Sequence, residues 1–414
     1  MPYGARLADA MARRIGRECL YTPSARLALY LALRRWCRPG GRVLMSPVND
    51  DVILFVVLAA GLRPVQAPVA AADGNIDPAA VPEPLWRSLD AVLTTNLYGM
   101  PDRVRELRRR CDALGIPLIE DAAHAIGTHV GGQPVGTFGT AGAFSLGKHV
   151  QGKAGGFLAV EDARTRRELE RLRDDLLLPA RLHEDLATTL LPLARSAVRT
   201  LHLVRPVWRT AQRLGLLERE AIRMPLRAPR LAVAATRAPS VPAYDLWLRV
   251  DLHSYRDRHG PLVRGQLAAR LARLDRDLAR RRAGVAALTR TVWASPALRE
   301  HLAHEGPLPL FRAPLLVQDR DALIDRLVHH GLVAGYLYDP PLDDYAGPEF
   351  TDPSPSPEAA RWFAAHVLPA DPREAPRLMR ALGREGARPA ALPSPVPGPG
   401  PAPGPRPRTG GVPR

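Results

Sequence analysis

The fold of this chain is constrained most by an alternation. Between residues 20 and 121, short runs of Val, Leu and Ile trade places with longer helix-forming stretches. The pattern predicts helices over 27–36, 51–60 and 102–114, and strands over 42–46, 63–67, 91–95 and 117–119. Thr22-Pro23-Ser24 supplies a cap and a proline for the first helix, and Gly61 and Gly115 stop the other two. Strands separated by helices of this length line up as a parallel α/β sheet rather than as hairpins. Ligands in such sheets bind beyond the carboxyl ends of the strands. Asn96 and Asp121, which follow two of these strands, therefore mark where a site should lie. At 414 residues the chain is also longer than one core usually serves, so two packed domains are expected.

The second constraint is chemical. Of 58 basic residues only two, Lys148 and Lys153, are lysines. A composition that favours arginine can replace a solvated surface lysine. It cannot replace a primary amine needed for chemistry, because guanidinium neither deprotonates in proteins nor forms a Schiff base. Both lysines lie in one glycine-rich stretch.

The formal charge of +16 comes from arginines scattered among acids along helical patterns. No basic stripe is interleaved with aromatics, which argues against a nucleic-acid partner. Cys19, Cys37 and Cys111 are odd in number, without C-x-x-C spacing or clustered His. They predict reduced thiols and neither a disulfide framework nor a metal site. No apolar leader follows Met1, so a cytoplasmic location is expected. The longest apolar run, 52–61, is too short to cross a bilayer.

Three motifs converge on a cofactor cradle. Ile119-Glu120-Asp121-Ala122-Ala123-His124-Ala125 puts a carboxylate at a strand end, followed by small residues that let a flat ligand approach; Asp121 as a helix N-cap is the plainer alternative. Phe144-Ser145-Leu146-Gly147-Lys148, followed by Gly155-Gly156-Phe157, lets a hydroxyl and an amine three residues apart reach one ligand. Serine hydrolases also use S-x-x-K, but their companion motifs are missing. Thr22-Pro23-Ser24-Ala25-Arg26 opens a helix whose free N–H groups suit a phosphate, or is simply an N-cap. Taken together, the helix start and Ser145 hold phosphate, Asp121 keeps a pyridine nitrogen protonated, and Lys148 meets an aldehyde.

With these motifs in place, the chain resembles the DegT/DnrJ/EryC1/StrS aminotransferases, which are pyridoxal-phosphate (PLP) enzymes of fold type I. The resemblance covers roughly 20–160 and, more weakly, 250–385. It is carried by the Glu-Asp-Ala-Ala-His-Ala-x-Gly segment, Gly136-Thr137-Phe138-Gly139, Phe144-Ser145, and Lys148 seven residues before Gly155-Gly156. Asn75-Ile76-Asp77, Leu97-Tyr98-Gly99-Met100-Pro101, the segment 267–282 and His366-Val367-Leu368-Pro369 add to it.

The resemblance implies an α/β fold: a large domain with a mostly parallel sheet flanked by helices, plus a smaller α+β C-terminal domain. The expected division is 1–245, 246–387 and a disordered basic tail over 388–414. The resemblance also implies pyridoxal 5'-phosphate as cofactor and a homodimer with active sites at the subunit interface. The reaction it implies is transfer of an amino group from glutamate or glutamine to a keto-sugar bound to a nucleotide. By position, Lys148 is the Schiff-base lysine and Asp121 the partner of the pyridine nitrogen. His124 touches the ring and Ser145 the phosphate, and Ala25 and Arg26 stand for the usual Gly-Thr.

Departures are visible. Three residues rather than five lead from Ser145 to Lys148, which makes Lys153 a rival. Where a ring-stacking aromatic is expected, near 48–50, the chain has Val-Asn-Asp. A Leu- and Arg-rich helical stretch over about 164–220 is atypical, and reads as a packed insertion or as an interfacial helix touching a membrane surface or partner. One further amphipathic helix is predicted over 266–288, with Leu267, Leu271, Leu274 and Leu278 on one face. Tyr336 and Tyr338 face the acceptor or belong to the core. The alternatives to an aminotransferase are a PLP-dependent sugar dehydratase, for which His149 beside Lys148 is a reminder, and an inactive family member serving as a scaffold.

Overall fold

The computed structural model describes residues 4–149, 154–180, 223–250, 255–332, 334–335 and 338–393. Lys153, Tyr336, residues 181–222 of the Leu- and Arg-rich region and the tail beyond 393 lie outside them.

Seven strands form one sheet: β1 (Glu18–Thr22), β2 (Arg42–Met45), β3 (Arg63–Gln66), β4 (Ala91–Thr95), β5 (Leu118–Asp121), β6 (Ala141–Ser145) and β7 (Gly156–Val160). Their order across the sheet is β1-β7-β6-β5-β4-β2-β3. The strands from β3 through β6 are paired parallel, and β7 is antiparallel to both of its neighbours. The four strands expected from the alternation are β2 to β5. The other three extend the sheet and bring Ser145 and Gly156 opposite each other at one edge of the site.

Both faces of the sheet are covered, as a parallel sheet requires. The helix Ala25–Trp36 starts from Ser24, whose hydroxyl accepts the Leu27 N–H at 3.2 Å. Its leucines pack on β6 and β7 in the largest core. The helix Asp51–Ala59 is apolar all round (DVILFVVLA) and must therefore be enclosed on every side. Leu231, Tyr244 and Trp247 close over it, with the Phe55 and Trp247 rings stacked at 5.6 Å. On the opposite face the helix Val104–Leu114 buries Leu107 and Cys111 against Leu44, Val92 and Leu118. Each fully buried Leu or Val here stabilises the fold by about 1.5–3 kcal/mol.

A second core surrounds the antiparallel pair β8 (Ala313–Leu316) and β9 (Val367–Ala370). The helices Leu274–Thr289, Arg320–His329 and Ala375–Arg384 pack on it. Among the described residues no helix is long and apolar enough to cross a membrane.

Three expectations need correction. The helix predicted over 266–288 is two helices, Pro261–Leu271 and Leu274–Thr289. The leucine pattern runs through the break because Leu267, Leu271, Leu274 and Leu278 all enter one core. In the Leu- and Arg-rich region the helix Ala163–Leu176 stops, and Leu178 forms a bridge to Asp257. The tail does not begin as free chain at 388. The Arg388 carbonyl accepts the Gln318 N–H, and the Ala390 N–H donates to Leu316, which extends the small sheet.

Candidate active site

The carboxyl ends of β4, β5 and β6 open on a cavity of about 220 Å³. Ala25, Arg26, Asp121, His124, Ser145 and Lys148, the six residues singled out from the sequence, all line it.

Asp121 ends β5 and is 4 % exposed. No helix follows it. One of its carboxylate oxygens accepts the Ala123 N–H at 3.0 Å, closing a turn, so the N-cap alternative does not hold. Its backbone carbonyl accepts the Asn96 N–H, which ties the ends of β4 and β5 together. Burial pushes the Asp121 pKa up to about 6. The Ala123 N–H opposes that rise, Asp50 adds to it, and Lys148 opposes it.

Lys148 sits in the helical turn Leu146–His149 directly after β6. Its ammonium lies 5.5 Å from the centre of the Phe311 ring. Among the described residues it makes no ion pair. Strand β7 returns beside this turn. Gly155 donates to the Pro23 carbonyl at 2.7 Å, and Leu146 donates to the Gly155 carbonyl at 3.0 Å. Gly156 is required by contact: a Cβ there would lie 2.5 Å from the Ala25 nitrogen and the Ser24 carbonyl carbon. The absence of a side chain lets the helix start come up against the sheet edge.

At that helix start Ser24 is the cap. Its hydroxyl donates to the Tyr255 carbonyl at 2.8 Å while accepting from Leu27. The Arg26 guanidinium turns to the Leu248 carbonyl and lies over the Tyr255 ring. Ser145 ends β6 at the cavity, half-buried.

His124 is buried and stacks on Phe311, with centroids 4.7 Å apart and planes within 19°. Burial holds its pKa well below the usual imidazole value, and Lys148, His149, Arg312 and Arg281 push the same way. It is a neutral imidazole at ordinary pH. His149 is 1 % exposed. Its pKa is lowered to about 3, chiefly by burial and then by Arg281. It is absent from the described cavity lining.

Several lining residues were not assigned roles from the sequence, and Tyr338, left there between the acceptor side and the core, both borders the cavity and packs in a buried cluster. Asn49 donates to the Thr95 hydroxyl at 2.7 Å. Asp50 caps the helix Asp51–Ala59, and Asp51 accepts the Met224 N–H at 2.8 Å. Burial and Asp50 raise the Asp51 pKa to about 6. Tyr338 closes one side. Phe311, two residues before β8, backs His124 and Lys148, with its N–H donating to the Tyr98 carbonyl. Only the Asx-type sequence at 49–51 hinted at a turn here. Nothing local marks Phe311, which reaches the site from far along the chain.

Comparison with known proteins agrees with this geometry. Residues 2–177 match the model of the DegT/DnrJ/EryC1/StrS aminotransferase family. The chain is 32 % identical over 174 residues to the L-glutamine:2-deoxy-scyllo-inosose aminotransferase of Streptomyces paromomycinus, covering 41 % of each chain. It thus spans about two fifths of the length of that curated relative. Its fold is that of a DegT DnrJ EryC1 StrS aminotransferase from Brucella abortus (TM-score 0.63, 16 % identity, 93 % of this chain and 91 % of the other). It is equally that of the E. coli GDP-4-keto-6-deoxy-D-mannose-3-dehydratase with bound hydrated PLP (TM-score 0.63, 16 % identity, 92 % and 91 %). The architecture is the fold-type-I architecture of PLP-dependent aminotransferases.

Proposed function

We propose that this chain, whose residues 2–177 match the model of the DegT/DnrJ/EryC1/StrS aminotransferase family, belongs to that family and is a PLP-dependent sugar aminotransferase. It moves an amino group from glutamate or glutamine to a keto-sugar, nucleotide-linked or free, or to a related keto-cyclitol. The observation that carries the reading is that Asp121 and Lys148, from the ends of neighbouring strands, line one cavity with the helix start at Ala25.

The residues fit the cofactor. A buried carboxylate with one hydrogen-bond partner among the described residues suits a protonated pyridine nitrogen. The helix start, brought close by Gly156, suits a phosphate, with Ser145 beside it. When bound, pyridoxal phosphate supplies an aldehyde and a ring that takes up an electron pair. The protein supplies the rest. Asp121 holds the proton on the ring nitrogen. Lys148 Nζ presents an amine to the aldehyde end and serves as the group that moves a proton at the reacting carbon. Neutral His124 keeps one flank uncharged, and the helix start orients the phosphate. Assembly as a homodimer belongs to the same proposal and is read by sedimentation.

Bound cofactor colours the protein yellow. Excess glutamate or glutamine should move the absorbance band to the pyridoxamine form, and Lys148→Ala should abolish that change. A wild type that takes up no cofactor would sink the enzyme reading and favour the scaffold alternative. Cofactor uptake without an amino-donor half-reaction would favour a lyase. The placement of His149 weighs against the lyase, since this imidazole is buried and is not among the described residues that line the cavity.

A further inference from the structure

One wall of the cavity is unexplained by the groups assigned so far. Tyr338 lines it, as the only six-membered aromatic ring among its described lining residues. Its backbone lies in the left-handed region at φ +71°, and that of Tyr98 at φ +59°. Bulky residues rarely adopt this conformation, and it persists where the surroundings over-determine it, most often at functional sites. The two rings stack with centroids 5.8 Å apart and planes within 17°. Tyr98 is fully buried, and its carbonyl accepts the N–H groups of Phe311 and Arg312 at 2.9 and 3.2 Å. The under-layer of the stack is therefore fixed.

Tyr338 is 6 % exposed, and its hydroxyl has no hydrogen-bond partner among the described residues. Asp50 and Asp121 are its charged neighbours on the cavity side, with Arg223 beyond. Tyr338 packs with Val48, Leu97, Tyr98 and Phe363 in a small buried cluster, and it is the member of that cluster that also borders the cavity. Among the other described lining residues Val52, Ile53 and Met224 are aliphatic and Asn49 and Asp50 are polar; His124 brings the one other flat ring, a five-membered imidazole.

We propose that Tyr338 is the aromatic wall of the cofactor site, its ring packing against the pyridine ring of the bound cofactor with Tyr98 as its backing. This rests on the PLP reading above. An aromatic face both excludes water and matches a flat heteroaromatic ring, which an aliphatic side chain of equal bulk does not.

The test uses the full-length protein and pyridoxal 5'-phosphate as the probe. Binding is followed by quenching of tryptophan fluorescence, and the cofactor's surroundings by the position of its absorbance band. Tyr338→Phe should bind as wild type within about two-fold. Tyr338→Leu, which keeps the bulk without the π face, should bind roughly three- to ten-fold more weakly, with its band displaced. Thermal unfolding without cofactor should be alike for the two variants, which separates the wall from the fold. Wild-type affinity and an unmoved band in Tyr338→Leu would overturn the proposal while leaving the cofactor reading intact. A wild type that binds no cofactor would overturn both.

Discussion

His124 and Phe311 stack with ring centroids 4.7 Å apart, although 187 positions separate them in the chain. The same Phe311 ring has the Lys148 ammonium 5.5 Å from its centre and the Arg312 guanidinium 4.5 Å away. One side chain from the segment before β8 thus backs two residues that follow the strand ends of the large sheet. Stacking contributes about 0.5–1.5 kcal/mol and each cation–π contact about 0.5–1 kcal/mol. Phe311→Leu should weaken cofactor binding several-fold, while Phe311→Tyr should not. A cofactor titration monitored by fluorescence checks this, and equal affinity in the Leu variant would show that Phe311 is mere packing.

Asp121 sets the pH dependence. Its folded pKa is raised from 3.8 to about 6, mainly by burial. For an acid, a raised pKa means that the charged form is disfavoured. The group therefore costs stability above pH 6, and that cost is relieved as pH falls through about 6 toward 4. Cofactor binding has the opposite need, because the ring nitrogen is held by the carboxylate. Affinity for pyridoxal phosphate should fall by about ten-fold between pH 7 and pH 5. In Asp121→Asn it should be weaker at pH 7 and should lose that part of the slope. A slope unchanged by the substitution would assign it to another group.

Gly156→Ala tests the close approach of β7 to the helix start. The added Cβ would meet backbone atoms at 2.5 Å, and backbone cannot swing aside as a flexible side chain can. Overpacking of this kind costs about 1–3 kcal/mol. Denaturant unfolding should show that loss, and cofactor affinity should fall with it because Ala25 is displaced. Full stability in the variant would mean that the helix start is looser than the contact implies.

Much of the fold was legible in the sequence because its signals are local. Strands β2 to β5 and their helices follow from period and punctuation. The turn after Asp121 belongs to a motif that can be read in one short stretch. What stayed hidden depends on distance. Strand β7 is antiparallel, yet its Gly-Phe-Leu-Ala-Val sequence looks like that of any buried strand. The break at Ala272 and Arg273 carries neither Pro nor Gly, and the leucines on its two sides enter the same core. Phe311 and Tyr338 come from far along the chain, and only the tertiary packing brings them to the site. Ser24 looked like a plain cap. It is one, and it also lines the cavity beside Ala25.

The central claim is that Lys148 is the reactive amine, and the chain's composition makes it testable in one measurement. Only Lys148 and Lys153 carry a side-chain primary amine. The protein is incubated with pyridoxal 5'-phosphate, reduced with borohydride, digested and mapped by mass spectrometry. The account predicts a phosphopyridoxyl label on Lys148, no label on Lys153, and loss of the label in Lys148→Ala. A label found on Lys153 alone, or retained by the Lys148→Ala protein at wild-type level, would contradict it.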